Sequence, residues 1–483
     1  MSNQEKQNKK QLDEICPKSQ NLSRWYTDVV TKAKLADYSP IKGCMVIRPY
    51  GYAIWENIKS LLDAEFKRLG HVNAYFPLFI PESFLTKEAE HVEGFAPEVA
   101  WVTKGGTDDL EERLAVRPTS EAIIGHMYSK WISSYRDLPV LINQWCNVVR
   151  WEKVTRPFLR TTEFLWQEGH TAHRTHEEAK EEVLQMLEVY KDVVQNDFAI
   201  PLVSGQKSEK EKFAGAVSTY TIEALMPDGQ ALQSGTSHDL GQNFAKAFDI
   251  QFLDSDGERK YAWTTSWGVS TRLIGALIMV HGDDRGLRLP PKIAPLQAVV
   301  IPIVYKESQP VLDKASEVVK RLAAVGVRAK NDDREGFKPG WKYSEYEMLG
   351  VPLRIEVGQR DLDKNQLCVV RRDTHEKIFI PDGELEVTVE KLLVEIQENL
   401  FKQAQEILNS KTFKAESFEE FIEVIKEKSG MADTVWCGSE ECEAKFKEMG
   451  GATIRCLNGD AEGQACVCCG KTGKHRVYVA RSY

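Results

Sequence analysis

No stretch of this chain stays apolar for the roughly 20 residues that a membrane-spanning helix needs. The opening residues, MSNQEKQNKKQLDEICPKSQ, lack the apolar core of a secretory signal. Residues 1–20 are therefore expected to form a flexible lead-in, and the protein to be cytoplasmic. An excess of positive charge is also missing. The formal net charge is −9, which argues against non-specific polyanion binding, although a local basic face can still meet a nucleic acid. The cysteines do not make a disulfide framework. Ten are present, most of them crowded between Cys437 and Cys469, and in a reducing compartment such a cluster suits a metal better than disulfides. What is there is ordinary globular material. At 483 residues, 42% hydrophobic and 28% charged, the chain should hold roughly three domains, each able to bury a core.

The most informative stretch is Val148 to His170, VVRWEKVTRPFLRTTEFLWQEGH. Two apolar-rich runs flank a charged turn, the pattern of a long β-hairpin. Because strand side chains alternate faces, Val148, Arg150 and Glu152 are expected to share one face. Phe164, Trp166, Glu168 and His170 are expected to share the facing one. Such a set lines a polar pocket, since burying it without partners would be costly. In isolation the same stretch is equally an amphipathic hairpin lying on solvent.

Around it the chain alternates between elements. Arg24–Asp37 and Tyr50–Gly70 read as helices, the second with Trp55, Ile58, Leu62, Phe66 and Leu69 at helical spacing. In LAVRPTSEAIIGHMYSKWI a strand ends near Val116 and a helix starts with Thr119 or Ser120 as its cap. That is a capped helix on its own terms, or a turn in which Thr119 and Glu121 receive an ammonium group. Thr175–Gln195 is a helix. Two strands meet at the turn signature Met226–Gly229, and Gln233, Thr236 and His238 follow among small residues that let a ligand approach the backbone. Arg272 sits in the first turn of a helix, where a cation opposes the dipole, so it is expected to meet an anion. After the proline-rich stretch Leu289–Pro295, strands and helices alternate as in an α/β domain with a mostly parallel sheet. A helix spans Val389–Leu408. In the tail, Cys437 and Cys442 with Cys466 and Cys469 form two thiol pairs suited to tetrahedral zinc, with Cys468 as a substitute in the second pair.

Taken together these pieces resemble the class II aminoacyl-tRNA synthetases, and within them the prolyl-tRNA synthetases of the archaeal/eukaryotic-like type. The resemblance rests on the helix–strand–Pro77 unit, RPTSE at Arg117–Glu121, VVRWE with FLRTTEFLWQEGH, EKFAG at Glu211–Gly215, QSGTSH at Gln233–His238, and GVSTR ending at Arg272. It runs from about Ser23 to Tyr483. It implies a mixed α/β and α+β multidomain protein: an antiparallel-sheet catalytic domain over 21–288, an α/β anticodon-binding domain over 289–400, and a small α/β zinc-binding domain over 401–483. It implies ligation of L-proline to tRNA(Pro) through a prolyl-adenylate, with ATP and Mg2+ in catalysis, structural Zn2+, and a homodimer. The interval between Glu168 and Gln233 is too short for the editing insertion of bacterial-type relatives, so no built-in hydrolysis of mischarged alanine is expected. Because small substrates are hard to reject by binding alone, some activation of alanine and cysteine is expected.

The same resemblance assigns roles. Arg150 would clamp the ATP α-phosphate and the proline carboxylate, and Glu152 would orient the adenine side. Arg160 and Thr161 would contact nucleotide. Phe164 would stack on one face of adenine, and Arg272 on the other while reaching the γ-phosphate. Gln233 would touch ATP or magnesium-linked phosphate, and Ser270 would stand for the threonine hydroxyl of some relatives. Thr119 and Glu121 would hold the proline amine. Thr236 and His238 would complete the amino-acid pocket, walled by Phe213, Trp166, Glu168 and His170. Glu347, Arg354 and Arg360 are candidates for reading anticodon guanines. The competing readings are a sister threonyl, histidyl or glycyl enzyme, or a non-catalytic tRNA-binding paralogue. The presence of both Arg150 and Arg272 speaks against the paralogue. A zinc-dependent hydrolase is weaker still, because the cysteine set leaves no open ligand position.

Overall fold

A computed structural model describes residues 15–91, 98–304 and 309–483. Its centre is a seven-stranded sheet. The strands are β1 (Val72–Asn73), β2 (Val140–Val149), β3 (Glu163–His173), β4 (Leu202–Gln206), β5 (Ser218–Leu225), β6 (Ala231–Gly241) and β7 (Trp263–Ser270). They lie in the order β1-β2-β3-β7-β6-β5-β4. Every pairing is antiparallel except that of the short edge strand β1 with β2. The whole interval from Glu168 to Gln233 folds into this sheet and one helix that covers it, so no further domain is interposed.

One face of the sheet is packed by helices α1 (Leu22–Lys32), α2 (Pro49–Arg68), α4 (His176–Asn196) and α5 (Arg272–His281), with α3 (Glu121–Trp131) contributing to a neighbouring core. Helix α2 buries Ile54, Trp55, Ile58, Leu62 and Phe66, the spacing read from sequence. Helix α4 begins with a capping box, Thr175 and Glu178 exchanging bonds with each other's amides. Between β3 and β7, Gly169 pairs with Trp267. The indole is buried against Phe66, His71 and Tyr190, and it fills the space where a side chain at 169 would stand.

Several expectations need correction. The hairpin strands stop at Val149 and resume at Glu163, so Arg150 and Glu152 do not share a strand face with Val148, which is buried opposite Phe164. Past Val149 the backbone finds other partners: the Trp151 amide donates to the Glu98 carbonyl, and the Arg150 amide to Thr162. The helix expected over Arg24–Asp37 ends at Lys32, because Lys34 turns to a φ of +56° and Ala36–Tyr38 becomes a strand. Ser120 occupies the N-cap of α3, but its side chain does not cap. Residues 1–14 of the expected lead-in lie outside the described residues. Its last part is docked, with the Cys16 amide donating to Asp28 and the Lys18 ammonium to the carbonyls of Met279 and Gly282. A cation at a helix C-terminus is favoured by the dipole, although burial pulls the Lys18 pKa down to about 8.

The second unit has strands β8 (Ala298–Ile303), β9 (Ala329–Asn331), β10 (Leu353–Gly358), β11 (Gln366–Arg371) and β12 (Lys377–Pro381), with helices α6 (Gln309–Ala324) and α7 (Pro339–Met348). The sheet order is β9-β8-β10-β11-β12. Its first two pairings are parallel and its last two antiparallel, so the sheet is mixed rather than mostly parallel. The reason is local: β10, β11 and β12 are joined by connections too short for a crossover. Helix α8 (Leu385–Lys411) then runs unbroken for 27 residues. A domain boundary between 400 and 401 falls inside it. Leu385 to Leu400 enter the core of the second unit, Ala404 enters the core of the first, and Leu408 packs where the first and third units meet. The third unit carries β13 (Thr412–Lys414), β14 (Met431–Trp436), β15 (Thr453–Asp460) and β16 (His475–Ala480) in the order β13-β14-β16-β15. It is covered by α9 (Phe418–Lys426) and α10 (Glu440–Gly450).

A Cβ built on Gly169 would lie 2.1 Å from the Trp267 ring. Gly169→Ala is therefore expected to destabilise the catalytic domain by about 3 kcal/mol, the upper part of the overpacking range. The measurement is the thermal unfolding midpoint followed by tryptophan fluorescence. Gly340→Ala, where a Cβ meets nothing within 4 Å, is the neutral control.

Candidate active site

The front face of the sheet opens into a cavity of about 440 Å³. Alternation along β3 delivers Phe164, Trp166, Glu168 and His170 to it. Strand β6 adds Gln233, Thr236 and His238, β7 adds Ser270, and α5 adds Arg272. Thr119 and Glu121 arrive from the turn before α3, Phe213 from the loop after β4, and Arg150 from the end of β2. All of these were expected from sequence. Glu152, Arg160 and Thr161 do not line this cavity. Glu152 and Arg160 stand 3.9 Å apart in the loop beside it. Thr161 lines a neighbouring hollow of about 220 Å³, which shares Phe164 with the main cavity.

The charges are graded across the site. The Arg150 guanidinium donates to the Pro118 carbonyl at 3.0 Å and lies over the rings of Trp166 and Phe164. Arg272 donates to the carbonyls of Leu159 and Gln233. Among the described residues neither is hydrogen-bonded to a carboxylate. Burial lowers the pKa of both, and for Arg272 the nearby Arg150 and Arg160 add to the fall, taking it to about 10. Two desolvated cations with only carbonyl partners suit an incoming anion.

The opposite end is built on Glu168. Its carboxylate accepts bonds from the Ser120 hydroxyl, from Gln144 Nε2 at 2.8 Å and from the Cys146 thiol, and it pairs with His170 Nε2 at 3.2 Å. Burial opposes its charge, but these donors outweigh burial and hold the carboxyl below its ordinary value. For His170 burial is likewise outweighed, by Glu168 and Glu121, and its pKa rises. His238 goes the other way: burial first, then His170 and Arg150, push it down to about 3. It is a neutral ring bonded through Nδ1 to the Thr219 hydroxyl at 3.0 Å and packed against Phe213 with centroids 4.8 Å apart. The Thr119 hydroxyl donates to the Glu121 carboxylate. An acidic pair with a hydroxyl, in one cavity with guanidinium groups that bond only carbonyls, can hold a zwitterion against a polyphosphate.

Sequence reasoning missed Glu211, Thr219 and Ser266, which also line the cavity, and Ser120 and Gln144, which hold Glu168. Glu211 and Ser120 lay inside motifs already singled out. Gln144 faces Glu168 by register, which only the pairing reveals.

Two other clusters were expected. Arg354 bonds Glu347 at 2.9 Å and Glu356 at 3.1 Å and lies 4.0 Å from the Tyr343 ring centroid. Arg360 is not with them; it follows the far end of β10, exposed in the short helix Gln359–Leu362. In the third unit the thiols of Cys437, Cys442, Cys466 and Cys469 lie within 4.8 Å of one another. Tetrahedral zinc with bonds of about 2.3 Å needs sulfurs about 3.8 Å apart, and Cys437 and Cys469 stand at 3.8 Å. The residues fit that ion. Cys468 does not replace either member of the second pair, because its thiol turns away to the Cys442 carbonyl. Gly470, at φ +71°, makes the tight turn that closes the second pair.

Comparison with known proteins agrees with this anatomy. The model of the tRNA synthetase class II core domain (G, H, P, S and T) matches residues 101–281, that of the anticodon binding domain residues 297–399, and that of the prolyl-tRNA synthetase C-terminal region residues 418–483. The proline--tRNA ligase of Natranaerobius thermophilus is 59% identical over 482 residues, covering 99% of this chain and all of the relative. That of Rubrobacter xylanophilus is 58% identical over 473 residues, covering 98% and 99%. The crystal structure of prolyl-tRNA synthetase from Cryptosporidium parvum, complexed with halofuginone and AMPPNP, superposes with a TM-score of 0.94 at 44% identity over 98% of this chain and all of that one. With three domain matches in order and full-length identity at this level, the chain belongs to the prolyl-tRNA synthetase family.

Proposed function

We propose that this protein ligates L-proline to tRNA(Pro) in two steps, and that the graded cavity is where both substrates of the first step meet. The observation that carries the reading is the juxtaposition of Arg150, without a carboxylate partner, and the acidic pair Glu121 and Glu168 in one cavity. Full-length relatives named proline--tRNA ligase support it.

In this reading Thr119 and Glu121 bind the secondary amine of proline. Trp166, Phe213, His170 and the Glu168 network enclose the ring, with Thr236 and the neutral His238 closing it. Arg150 draws the proline carboxylate and the α-phosphate of ATP together, so that a carboxylate oxygen attacks phosphorus as pyrophosphate leaves. Phe164 and Arg272 sandwich adenine, with Glu152, Arg160 and Thr161 from the adjacent loop around it, and Gln233 and Ser270 toward the phosphates. The related Cryptosporidium parvum enzyme was solved with AMPPNP. Mg2+, when bound with ATP, supplies charge neutralisation at the phosphates. The 3′-terminal hydroxyl of the tRNA then attacks the activated carbonyl and AMP leaves. No side chain serves as nucleophile; the rate comes from positioning and from cations meeting phosphate charge.

The rest of the reading follows from this. Glu347 and Arg354 form the anticodon contact, with Arg360 at a separate point on the same domain. Cys437, Cys442, Cys466 and Cys469 hold one structural Zn2+. A homodimer belongs to this reading through the likeness of the chain to the class II synthetases. The cytoplasm is the compartment in this reading, which a role in translation supports. Separately, no helix among the described residues is long and apolar enough to cross a membrane. Lacking an interposed domain, the enzyme activates alanine and cysteine to some extent without clearing the products.

Three outcomes are expected. ATP–pyrophosphate exchange across all twenty amino acids should respond most to proline, and Arg150→Ala should lower it about a hundredfold or more, the scale of losing a preorganised charge contact; a stronger response to threonine, histidine or glycine would overturn the assignment. Arg354→Ala should reduce tRNA charging while sparing exchange, and equal loss of both would refute the anticodon role. Elemental analysis should find one zinc per chain, lost with a lowered unfolding midpoint in Cys442→Ser but kept in Cys468→Ser.

A further inference from the structure

The wall of the amino-acid cavity is held from outside the catalytic domain. After β4 the chain turns at Ser208, whose carbonyl accepts the amides of Glu211 and Lys212, and this turn delivers Glu211 and Phe213 to the cavity. The Phe213 amide donates to the Thr219 hydroxyl at 2.9 Å, and its ring lies on His238. Ser208 itself reaches into a different unit, and the Lys207 beside it supports a carboxylate that is met from that unit. The Ser208 hydroxyl donates to the carboxylate of Glu443 on α10. The Lys207 ammonium bonds Glu223 at 2.7 Å, and Glu223 accepts a bidentate pair from Arg455 of β15 at 3.1 to 3.2 Å. Lys207, Ser208, Glu223, Glu443 and Arg455 are all buried.

Glu223 is thus paired with two cations, Lys207 and Arg455, while Glu443 meets the Ser208 hydroxyl and burial raises its pKa. A buried charge set of this kind is weak evidence for stability, since apolar residues of the same shape do as well; its attested use is to fix one arrangement. What it fixes here is the start of the turn that carries Phe213. We propose that Ser208 and Glu443 are positioning residues for the amino acid. The third unit, through α10, sets the wall of the cavity against which the proline ring packs, and so sets the affinity for proline separately from that for ATP. The inference rests on the reading of this cavity as the proline site.

The test is steady-state ATP–pyrophosphate exchange with the full chain, varying proline and ATP separately, for Ser208→Ala, Glu443→Ala, the double variant and Glu443→Gln, whose amide oxygen still accepts from Ser208. The KM for proline should rise about tenfold in both alanine variants, with the KM for ATP within about twofold. The double variant should be no worse than either single one, and Glu443→Gln should recover most of the proline KM. Lys447→Ala, exposed on the same helix, should behave as the unsubstituted chain. An unchanged proline KM in Ser208→Ala, or an equal rise in both KM values, overturns the proposal. If Glu443→Ala melts, Ser208→Ala, which removes only a hydroxyl, decides. Absence of proline-dependent exchange in the unsubstituted chain would be a different failure, that of the functional reading itself.

Discussion

A carboxylate buried in the middle of a sheet must be bonded on every side or it will not stay ionised. Glu168 meets that condition, and the catalytic face is arranged to meet it. Ser120 reaches it from the cap of α3, Gln144 and Cys146 from β2, and His170 from two residues along β3. Each of these residues is taken from its ordinary local use to do so. Ser120 does not cap its helix, and Gln144 is a polar residue in the interior of a central strand. The reward is a fixed negative charge in a cavity that also holds Arg150 and Arg272.

That gradient explains why two neighbouring histidines behave oppositely. His170 is raised because two carboxylates face it. His238, on the far side of β7, is lowered because it sees burial, His170 and Arg150. The two rings thus differ in use: His170 pairs with a carboxylate, and His238 is a neutral wall. The same logic applies to Arg150 and Arg272: in the proposed function, substrate anions are what makes their desolvation tolerable.

What could be read from the sequence was what depends on period and neighbours. The pocket face of β3 follows from strand alternation, and the buried stripe of α2 from helical spacing. The four thiols follow from pair spacing; which of Cys468 and Cys469 turns inward does not, since adjacent residues differ only in direction. Arg150 was found, but for a reason that failed, because it leaves the strand before the alternation reaches it. Gln144 was missed because its role depends on strand register. The mixed sheet and the helix that crosses residue 400 were missed because the pattern of apolar positions is the same whether or not a domain ends there. The bonds that tie Ser208 and Glu223 to the third unit join residues more than 200 apart in sequence. Nothing local marks them; as sequence, a buried lysine and a surface one look alike.

Helix α8 has a mechanical consequence. Twenty-seven residues at a rise of 1.5 Å each make a rod about 40 Å long, and its length is seated in the second unit at one end and against the catalytic and third units at the other. A rod of this kind turns rotation into translation: a tilt of about 5° at one end sweeps the other through about 3.5 Å, more than a hydrogen bond spans. The cores it threads cannot give by that much without unpacking. The helix therefore acts as a brace, so that the part of the molecule that meets one end of a long ligand is held at a set distance and angle from the part that works on the other.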